Sequence, residues 1–327
     1  MATSRVVRVH RFGGPEELRV ETVDVPAPGE GQVLLRQKAA AVHFADILVR
    51  ENRYFLKPTP PCVLGLEGAG IVEAVGPGVT DWKAGDRAAY MFNLGAYAER
   101  RLVPAAQLYR PPASMDDKSV CALFVRAMTA QYLLRRLYKV QRGETILVHS
   151  AAGGMGSLLV QWAHHIGAIV IGTVGGAAKM EMARANGCDH VIDYTREDFS
   201  RRVLDITGGE GVPVLYEAVG KDVYAGNLAC LRPRGWYVNY GNASGFLPPL
   251  DAMDLNKKSL IFTKASLKDF TRTPAETQAM AAEVNDVVAK GIIRSNITRE
   301  VGLDGIAGLH ADLGARKTIG AAVVVFP

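Results

Sequence analysis

The segment Thr145–Gly167, TILVHSAAGGMGSLLVQWAHHIG, constrains the fold of this 327-residue chain most strongly. It begins with an apolar, β-branched run typical of a strand buried on both faces. Small residues follow at 150–156, and the apolar residues beyond them recur at helical spacing. The pattern predicts a strand, a tight turn and a helix. A turn without side-chain bulk lets a pyrophosphate approach backbone N–H groups at the helix N-terminus.

We therefore predict that this turn binds a dinucleotide, although a glycine-rich turn also occurs wherever a helix packs close to a strand. The residues predicted to contact the cofactor are Ala151, Gly153, Gly154, Met155 and Gly156. Ala151 stands where the GxGxxG pattern has its first glycine, so the match is to a relaxed variant. A second apolar strand, 169–174, ends about 20 residues after the turn, where the pattern expects the residue that contacts the ribose.

The end of this second strand indicates which dinucleotide is bound. An NAD site places an Asp or Glu there to accept hydrogen bonds from the ribose 2′-hydroxyl. Here the strand runs into Gly175-Gly176-Ala177-Ala178-Lys179, which contains no carboxylate. Lys179 is a cation within reach of a 2′-phosphate, and it is also compatible with an ordinary exposed residue in the first turn of a helix. We predict NADPH rather than NADH, with Gly175 and Lys179 among its contacts.

The rest of the chain alternates in a way that predicts an α/β fold with a doubly wound parallel sheet. The predicted strands of this sheet lie near residues 145–150, 169–174, 190–194, 212–219, 235–241 and 260–265, with helical segments between them. Before it, the chain is β-rich to about residue 110, with strands at 32–40 and 63–72 and a short helix at 44–50. Longer helices are predicted at 116–139 and 274–290, and a last strand at 321–326. Since the length exceeds what one core usually supports, we expect two domains: a β-rich domain of 1–123 and 266–327, and a nucleotide-binding domain of 124–265.

Charge and cysteine usage restrict the classes of function. Cys62, Cys121, Cys188 and Cys230 are scattered without a CxxC pair, which favours free thiols over disulfides or a metal cluster. The net charge is +5, but the basic residues are dispersed, so nucleic acid is not an expected partner. The chain shows no apolar signal region at its start and no run of 18 apolar residues. We expect a cytoplasmic protein.

Several further motifs carry a family resemblance over essentially the whole chain. They are HFADILVRENRYF (43–55), GLEGAGIVEAVGPGV (65–79), KAGDRAAY (83–90), GAYAERRLV (95–103), SAAGGMG (150–156) and YGNASG (240–245). In this order and spacing they resemble the zinc-free quinone oxidoreductase branch of the medium-chain dehydrogenase/reductase superfamily, the group that contains zeta-crystallin. The resemblance implies a GroES-like catalytic domain, a Rossmann domain, NADPH, and a homodimer formed through the edges of the Rossmann sheet.

The residues that would hold zinc in related alcohol dehydrogenases are replaced. Those enzymes use a Cys near the end of the first long strand, a His before Glu in a GHEGxG segment, and a cysteine-rich lobe for a structural metal. Here Val42-His43 occupies the Cys region, Leu66 replaces the His, and Glu67 alone is kept. A catalytic zinc needs three protein ligands, so we expect no metal. The chemistry that stays accessible is hydride delivery to a quinone or to an alkene conjugated to a carbonyl.

The resemblance also implies catalytic residues in the first part of the chain. Asp46 and Tyr54 match an Asp and a Tyr that face cofactor and substrate in quinone reductases, whereas His43 replaces their Asn. His43 could bind the cofactor ribose or the substrate carbonyl, or donate a proton, and a packing histidine is an equal alternative. In related enoyl-thioester reductases the Tyr matching Tyr54 is thought to give the proton, and a rim aromatic that stacks on substrate is the alternative.

Three more positions are implied by the same resemblance, and two by their place at the end of a predicted strand. Arg126 stands where the quinone reductases carry a Lys, and Thr129 matches a Thr along the nicotinamide ribose. Tyr194 matches a Tyr near the adenosine, and Gly241 and Asn242 follow the fifth predicted strand, at the sheet edge where ligands bind. A structural salt bridge for Arg126, a core role for Tyr194 and a simple turn at Gly241 and Asn242 are the alternatives.

Three functions are therefore compared. The first is an NADPH-dependent quinone or enone reductase, and the second is an NADPH-dependent 2-enoyl-thioester reductase, which would share Asp46 and Tyr54. The third is an NADPH-binding, crystallin-like or RNA-binding protein, which the dispersed basic charge does not favour. A zinc alcohol dehydrogenase lacks its ligands. The first function is the prediction.

Overall fold

The structure, a computed structural model, describes residues 2–327 apart from the side chain of Pro274. Its contacts divide the chain into two compact units. The first unit ends at Val125 and resumes from Ser295 to Pro327, and the second unit is Arg126–Arg294. No helix of residues 2–327 has the length and apolar character required to cross a membrane.

The strands and helices are as follows in chain order. The strands are β1 (Ala2–Val9), β2 (Arg19–Val25), β3 (Gln32–Ala41), β4 (Cys62–Val63), β5 (Glu67–Val75), β6 (Arg87–Met91), β7 (Arg100–Pro104), β8 (Leu108–Tyr109), β9 (Thr145–Val148), β10 (Ile169–Val174), β11 (His190–Asp193), β12 (Val212–Glu217), β13 (Leu231–Asn239), β14 (Ile261–Lys264), β15 (Ile297–Val301) and β16 (Ala321–Val325). The α-helices are α1 (Phe44–Arg50), α2 (Asp117–Gln131), α3 (Gly154–Ile166), α4 (Ala177–Ala185), α5 (Phe199–Ile206), α6 (Tyr224–Cys230), α7 (Ala252–Asn256), α8 (Pro274–Ala289) and α9 (Ile306–Gly314).

The first unit is built mostly on antiparallel strands, and only β15 and β16 pair in parallel among its described strands. A seven-stranded sheet has the order β15-β16-β3-β5-β6-β8, with β7 also paired to β3, and a smaller sheet has the order β2-β1-β4. Glycines in β5 permit close packing of its neighbour: a Cβ added at Gly70 would lie 2.1 Å from the carbonyl oxygen of Arg36 on β3. Glycine in a strand interior permits such a close approach of a neighbouring backbone.

The second unit contains a six-stranded sheet in which every neighbouring pair is parallel, in the order β11-β10-β9-β12-β13-β14. The chain moves outward from β9 in one direction and then returns to place β12 on its other side. This is the Rossmann strand order, and ligands bind at the carboxyl ends of the strands where the order reverses. The prediction of a doubly wound parallel sheet is confirmed.

Residues 266–294 belong to the second unit. The ring of Phe270 stacks on Tyr132 with centroids 4.3 Å apart. The backbone N–H of Arg294 donates to Oε1 of Gln161 at 2.9 Å. The division in the structure after Arg294 therefore differs from the boundary expected after residue 265.

Two other elements differ from the sequence prediction. The helix expected over 116–139 is α-helical only to Gln131, and a π-helical segment, Tyr132–Leu137, continues it. The N–H of Tyr138 donates to the carbonyl of Leu133, five residues back, as in a π-helix. The strand expected over 63–72 is split into β4 and β5, because Gly65 adopts a φ of +90° between them.

Candidate cofactor and active site

The β9–α3 turn has the form of an anion-binding site. Gly153, which offers the incoming ligand no side chain, is the N-cap of α3, and its N–H donates to the carbonyl of Ser150 at 2.8 Å. A Cβ at Gly156 would lie 2.2 Å from that same carbonyl oxygen, so only glycine fits there. Bare backbone N–H groups at the start of a 13-residue helix suit a pyrophosphate.

Ala151 fits in this turn because its neighbour is a glycine. The side chain of Ala151 is fully buried. A Cβ added at Gly172 on β10 would lie 2.8 Å from that of Ala151, so the absent side chain at 172 leaves room for the methyl group at 151. Gly172 on the neighbouring strand therefore accommodates the alanine that replaces the first glycine of the GxGxxG pattern. Because its side chain is buried, Ala151 can offer a ligand only its backbone.

The β10–α4 turn brings two of the predicted cofactor residues into contact. A Cβ at Gly175 would lie 2.6 Å from Oη of Tyr194, so the tyrosine packs on the glycine backbone. Gly176 follows with a φ of +100°, and Lys179 lies in the first turn of α4, partly exposed. The turn therefore combines the ring of Tyr194 with the ammonium of Lys179, and the sequence of the turn contains no carboxylate. A cation without a nearby repelling carboxylate suits a 2′-phosphate.

Asp193, a residue that the sequence analysis missed, fixes this turn. Its buried carboxylate accepts from the N–H of Gly176 at 3.0 Å and from the hydroxyl of Thr195 at 2.7 Å. The hydrogen bond from Thr195, with those from backbone N–H groups, lowers the pKa of Asp193. The signal in the sequence is an Asp at the end of the third strand followed two residues later by Thr.

Gly241 and Asn242 lie at the carboxyl end of β13, as predicted. A Cβ at Gly241 would lie 2.7 Å from the carbonyl oxygen of Ala218, so the chain after β13 passes directly against the end of β12. The last residue of β12, Glu217, is fully buried, and its carboxylate accepts from the side-chain amide of Asn239 at 2.5 Å. Sequence analysis missed Glu217 because its partner lies in another strand.

In the first unit, the structure brings His43 and Asp46 together at the start of α1. The N–H of His43 donates to Oδ2 of Asp46 at 2.7 Å, and the two residues form a capping box. The hydroxyl of Tyr97 also donates to this carboxylate oxygen at 3.1 Å, and it lies 3.1 Å from Nε2 of His310. Asp46 is fully buried, so it fixes the entry of α1.

His43 also contacts Glu67, which the sequence analysis treated only as the one retained residue of the zinc-binding segment. Its Nε2 lies 2.7 Å from Oε2 of Glu67, the first residue of β5, whose side chain is 1% exposed. A carboxylate at this distance orients the ring. The signal for Glu67 is the retained Glu of the GLEG segment.

Tyr54 lies after α1, and its ring centroid is 4.3 Å from that of Phe55. Burial, with a smaller contribution from the charge of Asp46, raises the pKa of Tyr54 to about 12. The hydroxyl is therefore protonated at neutral pH and acts as a hydrogen-bond donor.

Arg126 and Thr129 belong to the second unit, where they lie three residues apart on α2 and hence on one face of it. Arg126 is buried and Thr129 is partly exposed.

Metal-ligating side chains are not clustered in the part of the chain that the structure describes. Over residues 2–327, no three His, Cys, Asp or Glu side chains are grouped so that they could hold an ion. The four cysteines carry free thiols, and Cys121, Cys188 and Cys230 are buried.

A mostly antiparallel β-rich unit and a Rossmann unit whose glycine turn has no side-chain cap define a two-domain dehydrogenase or reductase of the nicotinamide-dependent class. Residues 29–113 match the alcohol dehydrogenase GroES-like domain family, and residues 154–286 match the zinc-binding dehydrogenase family. A 2-haloacrylate reductase of Burkholderia sp is 41% identical over 324 residues, 97% of each chain.

Two quinone oxidoreductases are similar over the same length. That of Pseudomonas aeruginosa is 41% identical over 318 residues, 96% of this chain and 97% of the relative. The solved structure of Escherichia coli quinone oxidoreductase complexed with NADPH has a TM-score of 0.94 and 36% identity, and the match covers 99% of this chain and 100% of that one. This chain belongs to the quinone oxidoreductase branch of the medium-chain dehydrogenase/reductase superfamily, and the predicted family is confirmed.

Proposed function

We propose that the chain is an NADPH-dependent oxidoreductase that delivers a hydride to a quinone or to an α,β-unsaturated carbonyl compound. The observation that carries the cofactor choice is the β10–α4 turn, where Lys179 and Tyr194 flank a glycine pair. Relatives named quinone oxidoreductase and 2-haloacrylate reductase support the reaction class.

The second unit offers contacts for each part of the cofactor. The backbone of residues 151–156 would hold the pyrophosphate, and Gly175, Lys179 and Tyr194 would hold the phosphorylated adenosine ribose. Thr129, Gly241 and Asn242 would hold the nicotinamide half. NADPH, when bound, supplies the hydride, so the protein needs to bind, orient and exclude water.

The first unit supplies the polar groups that we assign to the acceptor. The Tyr54 hydroxyl, kept protonated by its raised pKa, would donate a hydrogen bond to the acceptor oxygen, where negative charge develops during hydride transfer. His43, oriented by Glu67, is the candidate proton donor. Asp46 positions His43 by fixing the start of α1. We assign Arg126 the role of a permanent positive charge that binds an anionic group, since a guanidinium does not titrate near neutral pH.

A second acceptor class is favoured by one observation, the relative named 2-haloacrylate reductase, which is as similar as the Pseudomonas quinone oxidoreductase. An electron-poor alkene accepts hydride at one carbon and needs a proton at the other, so it requires a proton donor. The test is stopped-flow oxidation of NADPH and NADH with a quinone, a simple enone, 2-chloroacrylate and an enoyl-CoA, on the wild type and Tyr54→Phe.

The outcomes separate the acceptors. Fast NADPH oxidation by the quinone supports a quinone reductase, and a quinone rate little affected by Tyr54→Phe would show that the reaction does not need the Tyr54 hydroxyl at the acceptor oxygen. Preference for an alkene or an enoyl-CoA, with a loss of about 10²-fold in Tyr54→Phe, assigns the alkene reaction and makes Tyr54 the proton donor. No oxidation of either nucleotide by any of the four acceptors contradicts the proposal.

We also propose a homodimer in the cytoplasm. The open edge strand β14 carries Ile261, which is 39% exposed, and an exposed apolar edge of a sheet favours pairing with a second copy. The free thiols favour a reducing compartment. Light scattering after size exclusion tests the dimer, since a monomeric mass at micromolar concentration contradicts it.

A further inference from the structure

A network of polar side chains, buried at Glu217 and Asn239 and exposed at Lys264, joins the carboxyl ends of β12, β13 and β14. Glu217, Asn239 and Lys264 are the last residues of these three strands. The carboxylate of Glu217 accepts from the N–H of Gly220 at 2.6 Å and from the amide of Asn239 at 2.5 Å. A fully buried carboxylate is costly, so its partners are constrained to remain in place.

Asn239 transmits this constraint to Lys264. Its Nδ2 donates both to Glu217 and to the carbonyl of Gly241, the latter at 3.0 Å, and its Oδ1 accepts from Nζ of Lys264. Both donor hydrogens and one acceptor lone pair are thus engaged, and flipping the amide would place N–H against ammonium. The orientation of the Asn239 side chain is therefore unambiguous.

Lys264 in turn orients a predicted cofactor residue. Its Nζ also contacts Oδ1 of Asn242 at 3.1 Å. An ammonium has only donors, so Asn242 must turn its oxygen toward Lys264 and its two N–H donors away from it. The backbone next to it is fixed as well, because Gly241 is held by Asn239 and packs against Ala218.

The position of this network in the sheet indicates which half of the cofactor it serves. The candidate adenosine residues follow β10 and its outer neighbour β11, and the pyrophosphate turn follows the central strand β9. The strands β12, β13 and β14 lie on the opposite side of β9. A dinucleotide that crosses the carboxyl ends of the sheet therefore extends its nicotinamide half over these strands.

We propose that Lys264 is a positioning residue for the nicotinamide half of NADPH. It locks the carboxamide of Asn242 so that N–H donors face the cofactor, and it is itself held by the Glu217–Asn239 pair. The inference rests on the proposed function, since it takes NADPH as the ligand. Lys264 acts through Asn242, so its loss affects one half of the cofactor and leaves the adenosine contacts intact.

The experiment compares two ligands on Lys264→Met, which removes the ammonium and keeps an unbranched side chain. The ligands are NADPH and 2′,5′-ADP, which contains only the adenosine half, and their dissociation constants are measured by calorimetry on the full chain. We expect Lys264→Met to raise the dissociation constant for NADPH about tenfold and to change that for 2′,5′-ADP less than about twofold. Lys257→Met, at an exposed lysine just before β14, is the matched control and should change neither.

Further variants separate positioning from charge balance. Lys264→Arg keeps a donor and should bind NADPH within about threefold of the wild type. The double variant Glu217→Gln/Lys264→Met also removes the negative charge of Glu217. It should therefore regain any stability that Lys264→Met loses because the Glu217 carboxylate is left without the nearby ammonium. We expect NADPH affinity to stay low in that double variant, because Asn242 still lacks its partner.

Several outcomes would overturn the inference. Equal weakening of both ligands in Lys264→Met, or recovery of NADPH affinity in the double variant, would show that Lys264 acts only on the fold. Unchanged NADPH binding in Lys264→Met beside normal binding by the wild type would refute the inference alone. If the wild type showed no binding of either 2′,5′-ADP or NADPH in the calorimeter, the proposed function would be refuted, and the inference with it.

Discussion

His149 makes the stability of the second unit depend on pH in a calculable way. The residue follows β9 and is 1% exposed, with Nδ1 2.8 Å from Oγ1 of Thr173 and Nε2 2.7 Å from Oδ1 of Asn227. Burial lowers the pKa of His149 to about 4, although the hydrogen bond with Asn227 opposes the shift. The same side chain in the unfolded chain has a pKa of about 6.5.

The sign follows from proton uptake. As the pH falls below about 6.5, the unfolded chain binds a proton at His149 that the folded chain does not bind. The free energy of unfolding therefore decreases between pH 6.5 and about pH 4, and below that range the folded state is protonated as well. From pH 6.5 to pH 5 is about 1.5 pH units at about 1.4 kcal/mol each, so this one imidazole removes about 2 kcal/mol of stability at pH 5.

The assay isolates the second unit with its own fluorophores. In a Trp82→Phe background, the two remaining tryptophans, Trp162 and Trp236, both belong to the second unit. Urea unfolding is followed at pH 8, 7, 6 and 5 for this background and for the same chain carrying His149→Gln. We expect His149→Gln to reduce the loss of stability between pH 8 and pH 5 by about 2 kcal/mol, whatever constant offset it introduces.

A control separates the titrating ring from its hydrogen bonds. Thr173→Val removes a partner of His149 and keeps the imidazole, so it should lower stability by about 1 kcal/mol at every pH without reducing the slope. If His149→Gln showed the same dependence on pH as its background, the buried neutral histidine would not be a determinant of acid stability and the reasoning would fail.

Three further predictions concern the candidate site. Gly156→Ala places a Cβ 2.2 Å from the Ser150 carbonyl, so we expect a loss of about 1–3 kcal/mol in thermal unfolding and at least tenfold weaker NADPH binding by calorimetry; wild-type affinity would disprove the tight turn. Lys179→Ala should raise KM for NADPH about tenfold or more and leave KM for NADH unchanged, and an equal change for both would remove Lys179 from the 2′-phosphate site. Glu67→Ala should lower kcat more than Glu67→Gln, which keeps an acceptor for His43; equal rates in steady-state assays would show that this contact does not matter to turnover.

The sequence predicted elements whose signals are local. The parallel sheet was predictable because each strand is a short apolar run between helical segments, and the β9–α3 turn because glycine spacing reports directly on backbone crowding. The π-helical segment after Gln131 and the packing of Phe270 on Tyr132 were missed. The ring contact joins distant parts of the chain, which propensity and periodicity do not report.

The candidate site divides in the same way. The turn residues could be found by motif, whereas the residues that hold them were missed. Glu67 contacts His43 across 24 positions, and Lys264 contacts Asn239 across 25. The GLEG segment marked Glu67 but not its partner. A lone Lys in a sequence is most often an exposed residue, so Lys264 carried no signal until the fold placed its partner beside it.

The buried carboxylates of both units share one physical role. Asp46 and Glu67 each engage His43 in the first unit, and in the second Asp193 holds the Gly176 turn while Glu217 holds Asn239. Each of these four carboxylates accepts a hydrogen bond from a group that is a candidate ligand contact or lies next to one. Such carboxylates orient donors, since the hydride is carried by the cofactor and the protein has to supply fixed polar groups around it. It follows that amide replacements, which keep one acceptor oxygen, should be tolerated far better at these four positions than alanine, which leaves the donors without a partner.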